Sequence, residues 1–289
     1  MSSLFIIIRP TGSLFAQCDH YSPNVTIIHP KEPLFTQRNH YSPYGKKNNQ
    51  IKIIQSYFRS NYFMVFTYYG HSCFAATHQG ITILFDPFIS GNSLAKSINI
   101  DEIHADYIFL SHGHADHVLD AEGIALRTGA KVVCSYEIHE WLNEKGVSNT
   151  HPMNTGGRWN FGLFNAKCVV AQHSSGLPDG SYGGNPMGFI ITFNDYCFYF
   201  SGDTALTLDM QLIPKWAKLN TAILPIGDNF TMGYEDAIVA ADFIQCNQII
   251  GAHFDTFGYI KIDHDQVRSA FLSTGKQIKL PAIGEQFDL

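Results

Sequence analysis

The seven residues Ser111-His-Gly-His-Ala-Asp-His117 constrain this chain more than any other stretch, because they set three imidazoles and a carboxylate at positions 112, 114, 116 and 117. Directly before them runs Asp106-Tyr-Ile-Phe-Leu110, a short apolar strand signal, so the cluster falls in the loop where a strand ends and ligands can converge. The following residues 118–128 read as a helix. Imidazole and carboxylate suit borderline divalent metals such as zinc, whereas a closed structural site of the Cys-rich kind would use thiolates. The pattern predicts a catalytic metal site.

Other strand-like runs end in the same manner. Residues 65–69, 73–77 and 81–85 read as a β-meander with a turn at Gln79-Gly80, placing His71 at the first strand's exit and Asp86 at the third's. His71 either faces the cluster or is hydrogen-bonded within its turn. Asp86 suits the task of orienting a ligand, which metal-bound histidines commonly require. A run over 161–171 leads into Gln172-His173-Ser174-Ser175, and a hairpin over 187–193 and 196–200 delivers Ser201-Gly202-Asp203-Thr204. Gly202 allows close backbone approach to an ion. A strand over 248–252 ends in His253, and 131–135 and 221–224 are further strands. Helices are expected at 136–145, 234–245 and 266–274, the last capped by Asp263-His264-Asp265, which leaves His264 outside the metal set. The Gly-rich segment 176–184 reads as a loop that shapes substrate entry or as a plain surface excursion. This alternation implies α/β layering.

The first 63 residues differ in character. Ile7-Ile8-Arg9-Pro10 recurs as Ile27-Ile28-His29-Pro30, and Leu14-Phe15 with His20-Tyr-Ser-Pro23 recurs as Leu34-Phe35 with His40-Tyr-Ser-Pro43, a tandem repeat of period 20. Two copies make no solenoid, and the absence of a sustained period predicts a disordered or loosely attached extension. The working domain is expected at 64–289, with Met64 a plausible start.

A net charge of −6 without a basic stripe disfavours nucleic-acid capture. Six cysteines occur without a C-x-x-C pair and read as reduced core residues. The apolar runs are too short for a membrane span or a signal peptide, so the expected location is the cytoplasm. A small-molecule substrate is the expected partner, and assembly of identical copies is left open.

Taken together, these residues resemble the metallo-β-lactamase superfamily, whose pattern is H-x-H-x-D-H followed by a distant His, Asp and His. Tyr69-Gly-His-Ser72, Gly184-Asn-Pro-Met-Gly188 and Asp228-Asn-Phe-Thr-Met-Gly233 look like its bacterial metal-dependent hydrolase branch, related to L-ascorbate-6-phosphate lactonase. The resemblance implies a four-layer αββα sandwich, with two mixed β-sheets face to face, helices outside and metals at one edge. By it, His112, His114 and His173 would hold one divalent ion, Asp116, His117 and His253 a second, and Asp203 would bridge them. Zinc comes first, with manganese or iron compatible. A hydroxide between ions about 3.5–4 Å apart is the implied nucleophile. Its target would be an ester, lactone, thioester or phosphoester. Asp116 would ligate, orient the hydroxide and pass a proton to the leaving group. His71, Ser174, Ser175 and Asn229 are the candidates for polarising the substrate. A phosphodiesterase or RNA-processing nuclease on the same fold, and an inactive metal-binding module, are the alternatives.

Overall fold

Apolar residues at every second position set the layers of the sandwich, which a computed structural model describes for residues 63–289. The tandem repeat and its expected disorder lie outside the described residues. In β1 (Val65–Gly70), β2 (Cys73–His78) and β3 (Ile81–Phe85), side chains point alternately to opposite faces of the sheet. Gln79 and Gly80, both with positive φ, make the tight turn between β2 and β3. Three parallel strands follow on the same sheet: β4 (Tyr107–Phe109), β5 (Lys131–Cys134) and β6 (Thr150–Pro152). The last strand of the chain, β14 (Gln286–Asp288), closes the other edge against β1, giving the order β14-β1-β2-β3-β4-β5-β6.

The second sheet also has seven strands, in the order β13-β12-β11-β10-β9-β8-β7. Its antiparallel half is β7 (Arg158–Asn160), β8 (Asn165–Val170), β9 (Met187–Thr192) and β10 (Cys197–Phe200). β11 (Thr221–Pro225), β12 (Gln248–Ala252) and β13 (Gln277–Lys279) run parallel. Both sheets are therefore mixed, as the superfamily resemblance implies.

Between the sheets lies an aromatic core. Phe85 stacks on Phe74 at 4.6 Å and meets Phe198 and Phe200 of the facing sheet edge-on at 5.8 and 5.4 Å. Truncating such a ring to alanine costs about 3–5 kcal/mol. The alternate residues Leu84, Ile108 and Val132 point outward. They are covered by α1 (Ala115–Val118), α2 (Ala121–Thr128) and α3 (Tyr136–Glu144). On the other sheet α4 (Tyr234–Phe243) and α5 (His264–Ser273) take the same place. Asp263 caps α5 by accepting from the amides of Asp265 and Gln266. Among the described residues no helix is long and apolar enough to cross a membrane.

Two expectations change. The helix expected at 118–128 is two helices, because the Asp120 carboxylate turns away to bind the amides of Ile89 and Ser90 and the chain breaks there. The strand expected at 161–171 begins only at Asn165, since Gly162 reverses the chain and Phe161 N bonds Phe164 O.

Candidate metal centre

Six strand exits meet at one rim of the sandwich. β1 delivers His71, β3 delivers Asp86, β4 delivers the 111–117 cluster, and β8, β10 and β12 deliver His173, Asp203 and His253. Backbone bonds tie the two sheets together there, His253 N to His71 O and Met187 N to Ser111 O, while Ala205 N to Gln172 O joins two exits of the second sheet. Thr204 Oγ1 accepts from Gln172 N at 2.9 Å, which pulls the His173 loop beside Asp203.

The backbone is strained at this rim. His71, Asp86 and His253 all have positive φ, of 57°, 40° and 53°, a region that costs a side-chain-bearing residue of order 1–3 kcal/mol. Two glycines allow close packing here. A Cβ on Gly202, itself at φ 61°, would meet Ser111 Cβ at 2.6 Å, so the glycine lets this backbone approach Ser111. A Cβ on Gly113 would press on Leu177 and Gly183, because the Gly-rich loop packs against the cluster.

Donor atoms gather in two nests. His112 Nε2 lies 3.0 Å from His114 Nδ1, with His173 in the same group. Asp116, His117, His253 and His71 form the other. Asp203 Oδ2 sits between them, 3.2 Å from His117 Nε2, 3.0 Å from His253 Nε2, 3.7 Å from His173 Nε2 and 4.0 Å from His112 Nε2. Nitrogens at about 2.05 Å around a tetrahedral ion are separated by about 3.3 Å, close to the shorter of these spacings.

Behind the donors, one carboxylate fixes two rings. Asp86, fully buried, accepts from Ser111 N at 2.7 Å, Ser111 Oγ at 2.6 Å and His117 Nδ1 at 2.8 Å. Ser111 Oγ in turn accepts from His112 Nδ1 at 2.9 Å. Both His112 and His117 thus keep Nε2 for the nests, the orienting role expected of Asp86. Nothing in the sequence singled out Ser111. Ser174 Oγ contacts His114 Nε2 at 3.1 Å, which leaves Nδ1 facing His112.

The electrostatics favour a cation. Burial drives His112 well below its ordinary range, and also lowers His114 and His173. Burial acts against charge on His117 too, but the carboxylates of Asp203 and Asp86 on either side lift it well above. Burial alone would raise Asp203 and Asp116. The facing His117 and His253 outweigh it for Asp203, and the His71 hydrogen bond with the nearby His117 outweighs it for Asp116, so both stay below the carboxylate range. His117 Nε2 and Asp203 Oδ1 are buried without a hydrogen-bond partner among the described residues. An imidazole nitrogen and a carboxylate oxygen buried unpaired in the same rim fit a divalent ion.

The polar candidates are placed differently from one another. His71 is buried, with Nε2 3.0 Å from Asp116 Oδ2 and Nδ1 3.1 Å from Thr256 Oγ1, and burial pushes it down to about 4. With both nitrogens engaged it braces Asp116 rather than polarising a substrate. Ser175 is also buried, accepting from Gly113 N at 2.9 Å, and its task is to hold the cluster's backbone. Asn229 is exposed on the 228–233 loop, which Met232 N anchors to Thr204 O. His264 pairs with Asp255 at 2.7 Å, outside the nests.

A model of the β-lactamase superfamily domain matches residues 65–253. The chain belongs to the metallo-β-lactamase superfamily. It is 52% identical over 227 residues to a UPF0173 metal-dependent hydrolase of Christiangramia forsetii, covering 78% of this chain and 100% of the relative. A relative of the same description from Bacillus subtilis is 39% identical over 231 residues, with the same coverage. Among solved structures, a metallo hydrolase from the archaeon Ignicoccus hospitalis superposes with a TM-score of 0.71 at 30% identity, covering 78% of this chain and 98% of that one. An isothiocyanate hydrolase from Delia radicum gut bacteria shares the fold, with a TM-score of 0.63 at 17% identity and coverage of 78% and 99%. This member of the superfamily is a metal-dependent hydrolase with a two-sheet sandwich.

Proposed function

We propose that the centre holds two divalent ions and hydrolyses an ester, lactone, thioester or phosphoester bond of a small molecule. The observation that carries this reading is Asp203, whose Oδ2 lies within 4.0 Å of two imidazoles of each nest and so occupies a bridging position. His112, His114 and His173 would hold one ion, and Asp116, His117 and His253 the other. Their nitrogen and oxygen donors suit zinc, with manganese and iron also compatible. When bound, the ions would supply a water activated near neutral pH and polarise the scissile bond.

The chain's own residues do the rest. Asp116 is one-quarter exposed while His117 is fully buried, so it is the carboxylate of its nest that meets substrate. His71 occupies its Oδ2, which fixes the carboxylate's rotation and leaves Oδ1 to accept a proton and hand it to the leaving group. Asn229, with its backbone N–H already taken by Asp228, keeps its amide side chain for a polar group of the substrate. The same reading has a cytoplasmic small molecule as substrate and no nucleic acid or membrane.

The test is a substrate screen on protein whose metals have been assayed, using ester, lactone, thioester, phosphodiester and β-lactam probes with and without added zinc or manganese. Turnover of at least one class should vanish on chelation and return with metal. One ion per chain in fully loaded protein would sink the dinuclear reading, and turnover that survives complete chelation would sink the metal-dependent one.

A further inference from the structure

Away from the metal rim, a groove of about 770 Å³ opens on the β7 side of the second sheet. It lies where β7, β8 and β9 face the 3-10 helix Leu208–Lys215. Lys167 near the start of β8 marks it, while His173 of the metal centre lies beyond the other end of that strand, and no residue is shared between the groove and the donor nests.

The groove's charges are unusual for a protein of net charge −6. Arg158, Lys167 and Lys215 line it, and no acidic residue does. Among the described residues none of the three forms an ion pair. Arg158 and Lys167 are direct register partners across the β7–β8 ladder, and like charges opposite each other in a sheet are destabilising. An anion in the groove removes that repulsion.

Its apolar surface has a matching shape. Trp216 is about half exposed, with Lys167 Nζ 4.4 Å from its ring centroid, so a cation already sits on an indole face. Ile190, the partner of Lys167 on β9, forms the floor, and Trp159 stands at the edge. A volume of this size suits a small ligand rather than a polymer. An indole and three cationic side chains lining one groove suit a planar ring carrying a phosphate.

We infer that this groove is a second ligand site, separate from the metal centre, which binds a planar aromatic phosphate the size of a nucleoside monophosphate, its ring against the part of Trp216 that Lys167 leaves exposed and its phosphate at Arg158 and Lys215. The site does not depend on the hydrolytic reading. Two of the chain's three tryptophans line it, so indole fluorescence reports its occupancy.

The test titrates full-length, metal-loaded protein with adenosine monophosphate, followed by tryptophan fluorescence and calorimetry. One molecule should bind per chain with submillimolar affinity. Arg158→Ala with Lys215→Ala, and separately Trp216→Leu, should each weaken binding by about tenfold while metal content and melting temperature stay unchanged. Adenosine and inorganic phosphate should each bind at least about tenfold more weakly. The inference is overturned by any of four results: no saturable binding at millimolar nucleotide, binding that both groove variants retain, inorganic phosphate binding as tightly as the nucleotide, or affinity that climbs steeply with oligonucleotide length.

Discussion

The two donor nests that share Asp203 differ in depth and in charge. His112, His114 and His173 are all imidazoles, and His114 and His173 are partly open to solvent. Asp116, His117 and His253 bring a carboxylate of their own, with His117 and His253 buried and Asp86 pressed behind His117. If each nest holds an ion as proposed, a divalent charge in the first would be offset by Asp203 alone, whereas in the second it would be offset by Asp116 as well. Ion affinity and chemistry should therefore separate: the second nest fills first and handles protons, and the first fills second and exchanges with solution.

Removing the shared group gives the largest effect. Asp203→Ala should lose or loosen both ions, which elemental analysis after gel filtration would measure. A variant that still held one ion tightly would show the nests to be independent. Next comes Asp116→Asn, which can still offer an oxygen to an ion but cannot accept a proton. Turnover should fall by about 10²–10⁴ with both ions saturating. His114→Ala, by contrast, should recover part of its activity in excess metal, because mass action offsets a lost ligand. Near wild-type turnover by Asp116→Asn at full occupancy would erase the chemical distinction between the nests.

Asp86→Asn tests what the nests have in common. The amide would set an NH2 against Ser111 Oγ or His117 Nδ1, forcing a ring proton onto a donor nitrogen in either nest. Metal affinity, read by chelator competition, should drop about 10–100-fold at both sites. The smallest change is expected from Ser174→Ala, which removes the brace on His114 Nε2. Affinity should fall by less than about tenfold and only in the first nest. Equal loss at both nests would mean that Ser174 acts through the whole rim.

The ligand-bearing ends of the strands were legible because each is an apolar run followed within three residues by a His or Asp, as after Leu110, Ala252 and Phe200. That pattern carries both burial and chemistry. The strands β6, β7, β13 and β14 were not legible, since three residues on a sheet edge offer no period to read. Ser111 was missed because its role exists only once Asp86 of the neighbouring strand stands beside it. Ser175 and His71 look available for substrate in the sequence, yet packing takes both. The basic groove escaped for a similar reason, as Arg158, Lys167 and Lys215 are scattered along the chain and meet only through the β7–β8 register and the helix facing it.

The pairing of β1 with β14 also bears on how the protein is made. Thr67 and Gln286 are partners separated by 219 positions, so at a synthesis rate of about 5–20 residues per second the outer edge of β1 waits about 10–45 s for its neighbour. Throughout that interval a newly made chain presents unpaired backbone on Val65, Phe66 and Thr67, a template for any other strand nearby. Polysomes, which hold many such chains close together, are where edge-to-edge association of this protein should begin, and a holdase that covers that edge should raise its yield.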